Sequence, residues 1–204
     1  MKLNREQRRA LAAFLRSRFK AFVREKTGLP AEIIAKAFDL ADLFSAGVPS
    51  GDDFVTRYWT TLGPIILTPP GLSAELGEKL RVLCHEIMHV VQFWRDGAGF
   101  VVRYLTTRGR AELEAEAERG AAEVWFILTG ELPPDLGAVD ICRHGYALTS
   151  APGDHDDAAD LTRDLLEQAV TSVRAGVVST DVGLAVLAWM RANAPDAIVG
   201  PVLA

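Results

Sequence analysis

The stretch that decides the reading is SAELGEKLRVLCHEIMHVVQFWRDG, residues 73–97, with His85-Glu86-Ile87-Met88-His89 at its centre. Apolar Leu76, Leu80, Leu83, Ile87, Val90, Val91 and Trp94 recur at helical spacing. Ser73, after Pro69-Pro70-Gly71, is a capping residue, Glu75 suits the first turn and Asp96-Gly97 ends the run. The spacing predicts one amphipathic helix. Positions i and i+4 lie one above the other on it, so His85 and His89 can offer both imidazoles to one zinc ion. Glu86 sits one residue round, beside the open position of such a metal. There a carboxylate can take a proton from a water whose pKa the metal lowers to roughly 7. The competing reading is two ordinary histidines on a buried helix. The chain has four histidines, and two of them fall in this arrangement, which favours the metal.

A catalytic zinc takes three protein ligands and keeps one position open. Val90-Val91-Gln92 follows the motif without a third histidine, so the remaining ligand must come from elsewhere. Arg108 to Gly130, RGRAELEAEAERGAAEVWFILTG, is built from strong helix formers and closed by Gly130 and Pro133-Pro134. Glu112, Glu114, Glu116 and Glu118 are its candidates by composition, and helical geometry separates them. Glu112, Glu116, Arg119 and Glu123 share a charged face expected in water, whereas Leu113, Ala117, Val124 and Leu128 form the buried face. Glu114, Glu118, Ala121 and Trp125 flank that buried face. A carboxylate at the margin of an apolar stripe reaches a metal on a neighbouring helix, so Glu114 is the expected ligand. Glu118, one turn on, is expected to accept a hydrogen bond from a liganding imidazole.

HEIMH followed by EAEAERGA resembles the gluzincin metallopeptidases, which pair H-E-x-x-H with an E-x-x-A-[DE] helix. The resemblance implies His85, His89 and Glu114 as zinc ligands, Glu86 as general base and Glu118 as the partner of a liganding histidine. Glu112-Leu113-Glu114-Ala115-Glu116 fits the same pattern one register earlier; the face argument and the following Arg119 favour Glu114 over Glu112. GPIIL before HEIMHVVQ is also similar to the small zincin-like domains associated with bacterial contractile injection systems and toxins, where H-E-x-x-H-x-x-Q recurs. That likeness spans about residues 54–130. Gln92 stands one turn past His89 and takes no role from it.

These resemblances imply a mainly helical α+β zincin-like domain with a small sheet and an active-site helix. Residues 1–204 read as a single domain with a motif-bearing core at 54–130 and helical flanks at 1–46 and 138–204. The implied cofactor is Zn2+ and the implied activity is endopeptidase hydrolysis of a peptide or protein substrate, with Glu86 as general base. The alternative is a catalytically inactive scaffold or partner-binding module, and Glu86, which a structural zinc site does not need, favours the enzyme. Tyr104, His144 and Tyr146 are the available donors to a developing oxyanion, and no motif selects among them.

The remaining residues set the frame. A 204-residue chain with 49% hydrophobic content can bury one good core. Its net charge of −5 gives no reason to expect nucleic acid. Two cysteines, Cys84 and Cys142, make no disulfide framework, and Cys84 reads as a small buried residue. The charged N-terminus lacks the apolar run of a signal peptide and VGLAVLAWM is too short to span a bilayer, so a soluble, cytoplasmic protein is expected.

Residues 5–26 are expected as one amphipathic helix, with Leu11, Phe14, Leu15, Phe19, Phe22 and Val23 on its stripe. Its basic residues suit an acidic partner or a membrane surface, though docking on the core with solvated charges is the favoured reading. A second helix is expected from Ala31 to Phe44, followed by a loop at Gly47, Pro49, Ser50 and Gly51. Phe54 to Thr68 reads as a hairpin or bulged strand broken at Gly63-Pro64. Pro64 makes an edge position the expectation, and a peptide could pair there beside the metal. Phe100 to Thr107 is open between helix and strand. Pro152 to Asp157 reads as an acidic helix start, and Asp160–Arg174 and Asp181–Asn193 as helices stopped by Gly176 and Pro195. Leu184, Leu187, Ala188 and Met190 are expected in the core.

Overall fold

Asn4 starts the first helix through a capping box. Its side-chain oxygen accepts from the Gln7 N–H at 2.9 Å while its own N–H donates to the Gln7 side chain at 3.0 Å. The computed structural model describes residues 2–26, 59–72, 79–104, 106–134, 136, 154–199 and 202. In it α1 runs Arg5–Arg18, and Leu11 and Leu15 are fully buried. The helix does not continue to residue 26. Lys20 has a left-handed backbone (φ 52°), and the chain turns there into a strand, β1, Phe22–Glu25. Phe22 and Val23 therefore leave the apolar stripe of α1, and Phe22 is exposed.

The sheet has three strands in the order β1-β3-β2, where β2 is Thr60–Leu62 and β3 is Ile65–Thr68. β3 pairs parallel with β1 (Val23 opposite Ile66) and antiparallel with β2 (Thr61 opposite Ile66). Gly63-Pro64 makes the turn of the β2–β3 hairpin. Gly63 has φ 57°, and a Cβ there would stand 3.3 Å from the Phe93 ring. Pro64 thus occupies a turn, where its missing N–H leaves no gap in a ladder. The edge expected around GPIIL moves accordingly: Ile65–Thr68 is the central strand, and Thr60–Leu62 flanks it.

The motif helix, α2, spans Leu80–Asp96, and Gly97 (φ 55°) ends it. Leu80, Leu83, Ile87 and Val90 are buried as the periodicity requires, whereas Trp94 is exposed. A short α3, Ala98–Tyr104, settles the segment after Gly97 as helix. α4 runs Thr107–Thr129, started by the Thr106 hydroxyl accepting from the Gly109 N–H and ended by left-handed Gly130. α5 is Asp154–Arg174, α6 is Asp181–Asn193 with Thr180 as its cap, and Pro195–Ala197 adds a 3-10 turn. In α6, Leu187 and Met190 are buried as expected. Leu184 and Ala188 are exposed, and Val182 and Val186 take their place in the core.

The described residues are mainly helical, six α-helices beside one three-stranded sheet, an α+β arrangement. α4 lies at the centre, packed against α2, α3, α5 and α6. α1, β3, α2, α4 and α6 share one core that includes Leu11, Ile66, Ile87, Val124 and Val186. Burying each such side chain contributes about 1.5–3 kcal/mol. No helix among the described residues is long and apolar enough to cross a membrane. The expected helix at Ala31–Phe44, the loop at residues 47–51, Phe54, the Ser73 cap with Glu75 and Leu76, and Cys142, His144 and Tyr146 lie outside the described residues. So do Pro152, Gly153 and the side chains of His155, Asp156 and Asp157.

Candidate metal centre

Two helices make the site. α2 presents His85 and His89 one turn apart on the side that faces α4, their rings edge to face with centroids 4.9 Å apart. α4 presents Glu114, which is 4% exposed and sits between the two rings. Both Nε2 atoms converge on one oxygen: Glu114 Oε2 lies 3.1 Å from His85 Nε2 and 3.4 Å from His89 Nε2. His85, His89 and Glu114 lie close enough to hold a metal ion, with one ligand atom from each within 4.8 Å of the others.

The residues behind the rings fix which nitrogen faces the centre. His85 Nδ1–H donates to Glu118 Oε2 at 3.1 Å, and Arg81 Nη2 donates to the other oxygen of Glu118 at 2.5 Å. His89 Nδ1–H donates to Gln92 Oε1 at 2.8 Å. The direction of the Gln92 amide is itself fixed, because its nitrogen donates to the Leu113 carbonyl at 2.8 Å and to Glu116 Oε2 at 3.0 Å. With Nδ1 held as a donor on both rings, Nε2 is the nitrogen that each ring turns to Glu114 and would offer to a metal on losing its proton. Tyr104 OH donates to Glu114 Oε1 at 2.7 Å, so the Glu114 carboxylate turns Oε2 to the histidines. Arg110 stacks over the Tyr104 ring, 4.9 Å from its centroid.

The three residues would offer a cation two nitrogens and one oxygen. Bonds of 2.0–2.1 Å at tetrahedral angles space ligand atoms about 3.3 Å apart, close to the Nε2–Oε2 separations given above. The electrostatics of the cluster follow from the same contacts. Burial alone would depress His85, but the hydrogen-bonded carboxylates of Glu114 and Glu118 outweigh it and hold its imidazolium well above the ordinary histidine range. Burial also acts downward on His89, and Glu114 reverses it. Burial pushes Glu114 up, yet His89 and His85 bring it well below the usual carboxylate range. Glu118 is likewise raised by burial and brought down to about 2 by His85 and Arg81. The Glu114 carboxylate between two imidazoles, with Glu118 behind one of them, concentrates negative charge where a cation would be favoured.

Glu86 is buried beside His85, and its Oε2 accepts from the Thr61 hydroxyl of β2 at 2.7 Å. Cys84, adjacent to His85 in sequence, is completely buried in the core, and burial pushes its thiol up to about 12.

The structure therefore brings together His85, His89, Glu114 and Glu118, with Glu86 next to His85. Glu112 stands apart, its oxygens 3.2 Å from Arg103 and 3.2 Å from Arg108. Tyr104, one of three candidate oxyanion donors, has its hydroxyl engaged with Glu114. Glu123 is corrected outright. Expected in water with Glu112 and Glu116, it is completely buried and accepts from the N–H and hydroxyl groups of both Ser179 and Thr180. Glu116 is half-buried, bound by Arg95 and Gln92 rather than solvated. Arg81 and Gln92, one turn before His85 and nearly one turn after His89, were legible by spacing as residues of the same helix face. Thr61 was not, because it reaches the site from a strand. Comparison with models of protein families, with curated proteins and with solved structures finds no match to this chain.

Proposed function

We propose that the protein is a zinc-dependent metallopeptidase of the endopeptidase type, with His85, His89 and Glu114 as zinc ligands and Glu86 as general base. The observation that carries the reading is the convergence of both Nε2 atoms on Glu114 Oε2 while Glu118 and Gln92 hold the two Nδ1 protons. A structural metal requires nothing more. Glu86 adds what hydrolysis needs, a buried carboxylate next to a ligand and held from outside its own helix. Two histidines and one carboxylate would supply three protein ligands, the count of hydrolytic zinc sites, which keep a position open to water. Zinc, when bound, would supply Lewis-acid polarisation of the scissile carbonyl and acidify the attacking water. Glu86 accepts the proton of that water and then delivers it to the departing amine nitrogen. Glu118 and Gln92 keep the imidazoles in the tautomer that ligates, and Tyr104 holds the outer oxygen of Glu114. Among the described residues β2 pairs with β3 alone, and the main-chain groups of its outer flank, beside Glu86, would suit an extended peptide.

The test combines metal content with turnover. The full chain, purified without chelator, is expected to hold about one zinc, which Glu114→Ala loses and Glu112→Ala retains. The zinc-loaded chain is offered a pool of random octapeptides and the products are read by mass spectrometry. Cleavage by the wild type and none by zinc-replete Glu86→Gln is the expected result. Equal cleavage by Glu86→Gln would remove the mechanism. Zinc without any cleavage would leave the site to a catalytically inactive, partner-binding role.

A further inference from the structure

We infer that Thr61 is the positioning residue for the base Glu86, an inference that rests on the peptidase reading and gives the sheet a part in the chemistry. Among the described residues, the one hydrogen bond to the Glu86 carboxylate comes from the Thr61 hydroxyl, 2.7 Å from Oε2. The same hydroxyl oxygen lies 3.3 Å from the Glu86 main-chain oxygen. A hydroxyl has a single proton, and the shorter contact to a charged acceptor takes it.

The donor is well placed for this task. Thr61 sits in the middle of β2, opposite Ile66 of the central strand, and Ile66 is completely buried. Its backbone is thus fixed by the sheet, and a β-branched side chain on a fixed backbone has little χ1 freedom left. Glu86, by contrast, is a long side chain with three rotatable bonds. Holding Oε2 from a second element removes the rotation that would otherwise carry the carboxylate away from an attacking water. It also leaves Oε1 as the oxygen that takes the proton. Thr61 has a further position in the ladder. In a two-residue hairpin the closing pair, Leu62 and Ile65, exchanges the ladder bonds, so the main-chain N–H and C=O of Thr61 turn away from β3. One residue therefore aims the base with its side chain and turns its peptide groups to the flank of β2 that no strand pairs among the described residues.

Thr61→Val removes the hydroxyl while keeping shape and strand preference, and Thr61→Ser restores the donor. The kinetics use the best-cleaved member of the octapeptide pool with zinc-loaded full-length protein. Thr61→Val is expected to lower kcat about tenfold, with KM within about twofold and zinc content unchanged, and Thr61→Ser to recover most of the loss. Unchanged kcat in Thr61→Val, or equal loss in Thr61→Val and Thr61→Ser, overturns the inference. A wild type that holds zinc and cleaves nothing fails the peptidase reading instead, and the contact is then read from urea unfolding of Thr61→Val, Glu86→Ala and the double variant. Coupling of about tenfold between the two substitutions in the unfolding equilibrium supports the contact, and additivity overturns it.

Discussion

At the scale of single residues, Gln92 shows how much of the candidate site lies behind the residues that would ligate. It is fully buried, and all three of its hydrogen bonds serve one end, the presentation of Oε1 to His89 Nδ1. Replacing it by methionine keeps length and apolar volume but frees the His89 ring to adopt either tautomer and several orientations. Gln92→Met is expected to weaken zinc binding about 10- to 100-fold, the usual effect of losing such a partner. Competition with a fluorescent zinc chelator reads the affinity, and circular dichroism of the zinc-free protein should match the wild type. An affinity within twofold of the wild type would show that α2 alone orients the ring. His85, Glu86 and His89 were legible in the sequence because i, i+1 and i+4 on one helix is a local pattern. The Gln92 amide was half legible: its spacing puts it on the right face, but its direction depends on the Leu113 carbonyl and Glu116 on another helix.

At the scale of elements, Glu123 and Gly183 join α4 to α6. The Glu123 carboxylate sits at the N-terminus of α6, accepting from the Thr180 N–H at 3.0 Å and the Ser179 N–H at 3.2 Å, where the helix dipole favours a negative charge. Arg119, one turn earlier, donates to it at 3.2 Å. Gly183 leaves room for the carboxylate, since a Cβ at that position would collide with Glu123 Oε2. Glu123→Ala strands these donors at a buried helix end and is expected to cost about 3 kcal/mol. Gly183→Ala should destabilise by a comparable mechanism, and the double variant by less than the sum, because both substitutions remove the same contact. Urea unfolding of the three variants checks this; strict additivity would mean that the two residues act separately. The wheel argument failed at Glu123 for a definable reason. It assumes that a helix has one wet side, whereas α4 is packed against four other helices. A charged residue on such a helix has either a partner or an unfavourable site, and beyond Arg119 the partners of Glu123 lie 56 and 57 residues away in sequence. β1 escaped detection similarly: Phe22 and Val23 extend the stripe of α1 on a helical wheel, but their pairing with Ile65 and Ile66 is long-range.

At the scale of the whole molecule, the candidate site spans the packing of α2 on α4, so its occupancy should be felt in global stability. The α2–α4 interface is closely approached at Gly120, where a Cβ would lie 2.6 Å from Met88 Cγ, and that proximity is what lets carboxylates on α4 reach imidazoles on α2. Glu114 and Glu118 act at this junction to raise both imidazoles above the ordinary histidine range against the effect of burial. A divalent ion that binds the folded pair of helices and not the separated chain stabilises by mass action, about 2.7 kcal/mol at a free concentration 100 times its Kd. In a protein of this length that corresponds to a rise in Tm of roughly 5–10 °C. Excess chelator should reverse the rise. Glu114→Ala should abolish most of it, whereas Glu112→Ala, which removes only the contacts to Arg103 and Arg108, should keep it. Differential scanning calorimetry of the three proteins with and without zinc makes the comparison independent of any substrate. A zinc-dependent rise that survives Glu114→Ala would place the ion elsewhere in the molecule, and no rise in the wild type at saturating zinc would leave the α2–α4 junction as a proton-filled ion-pair network.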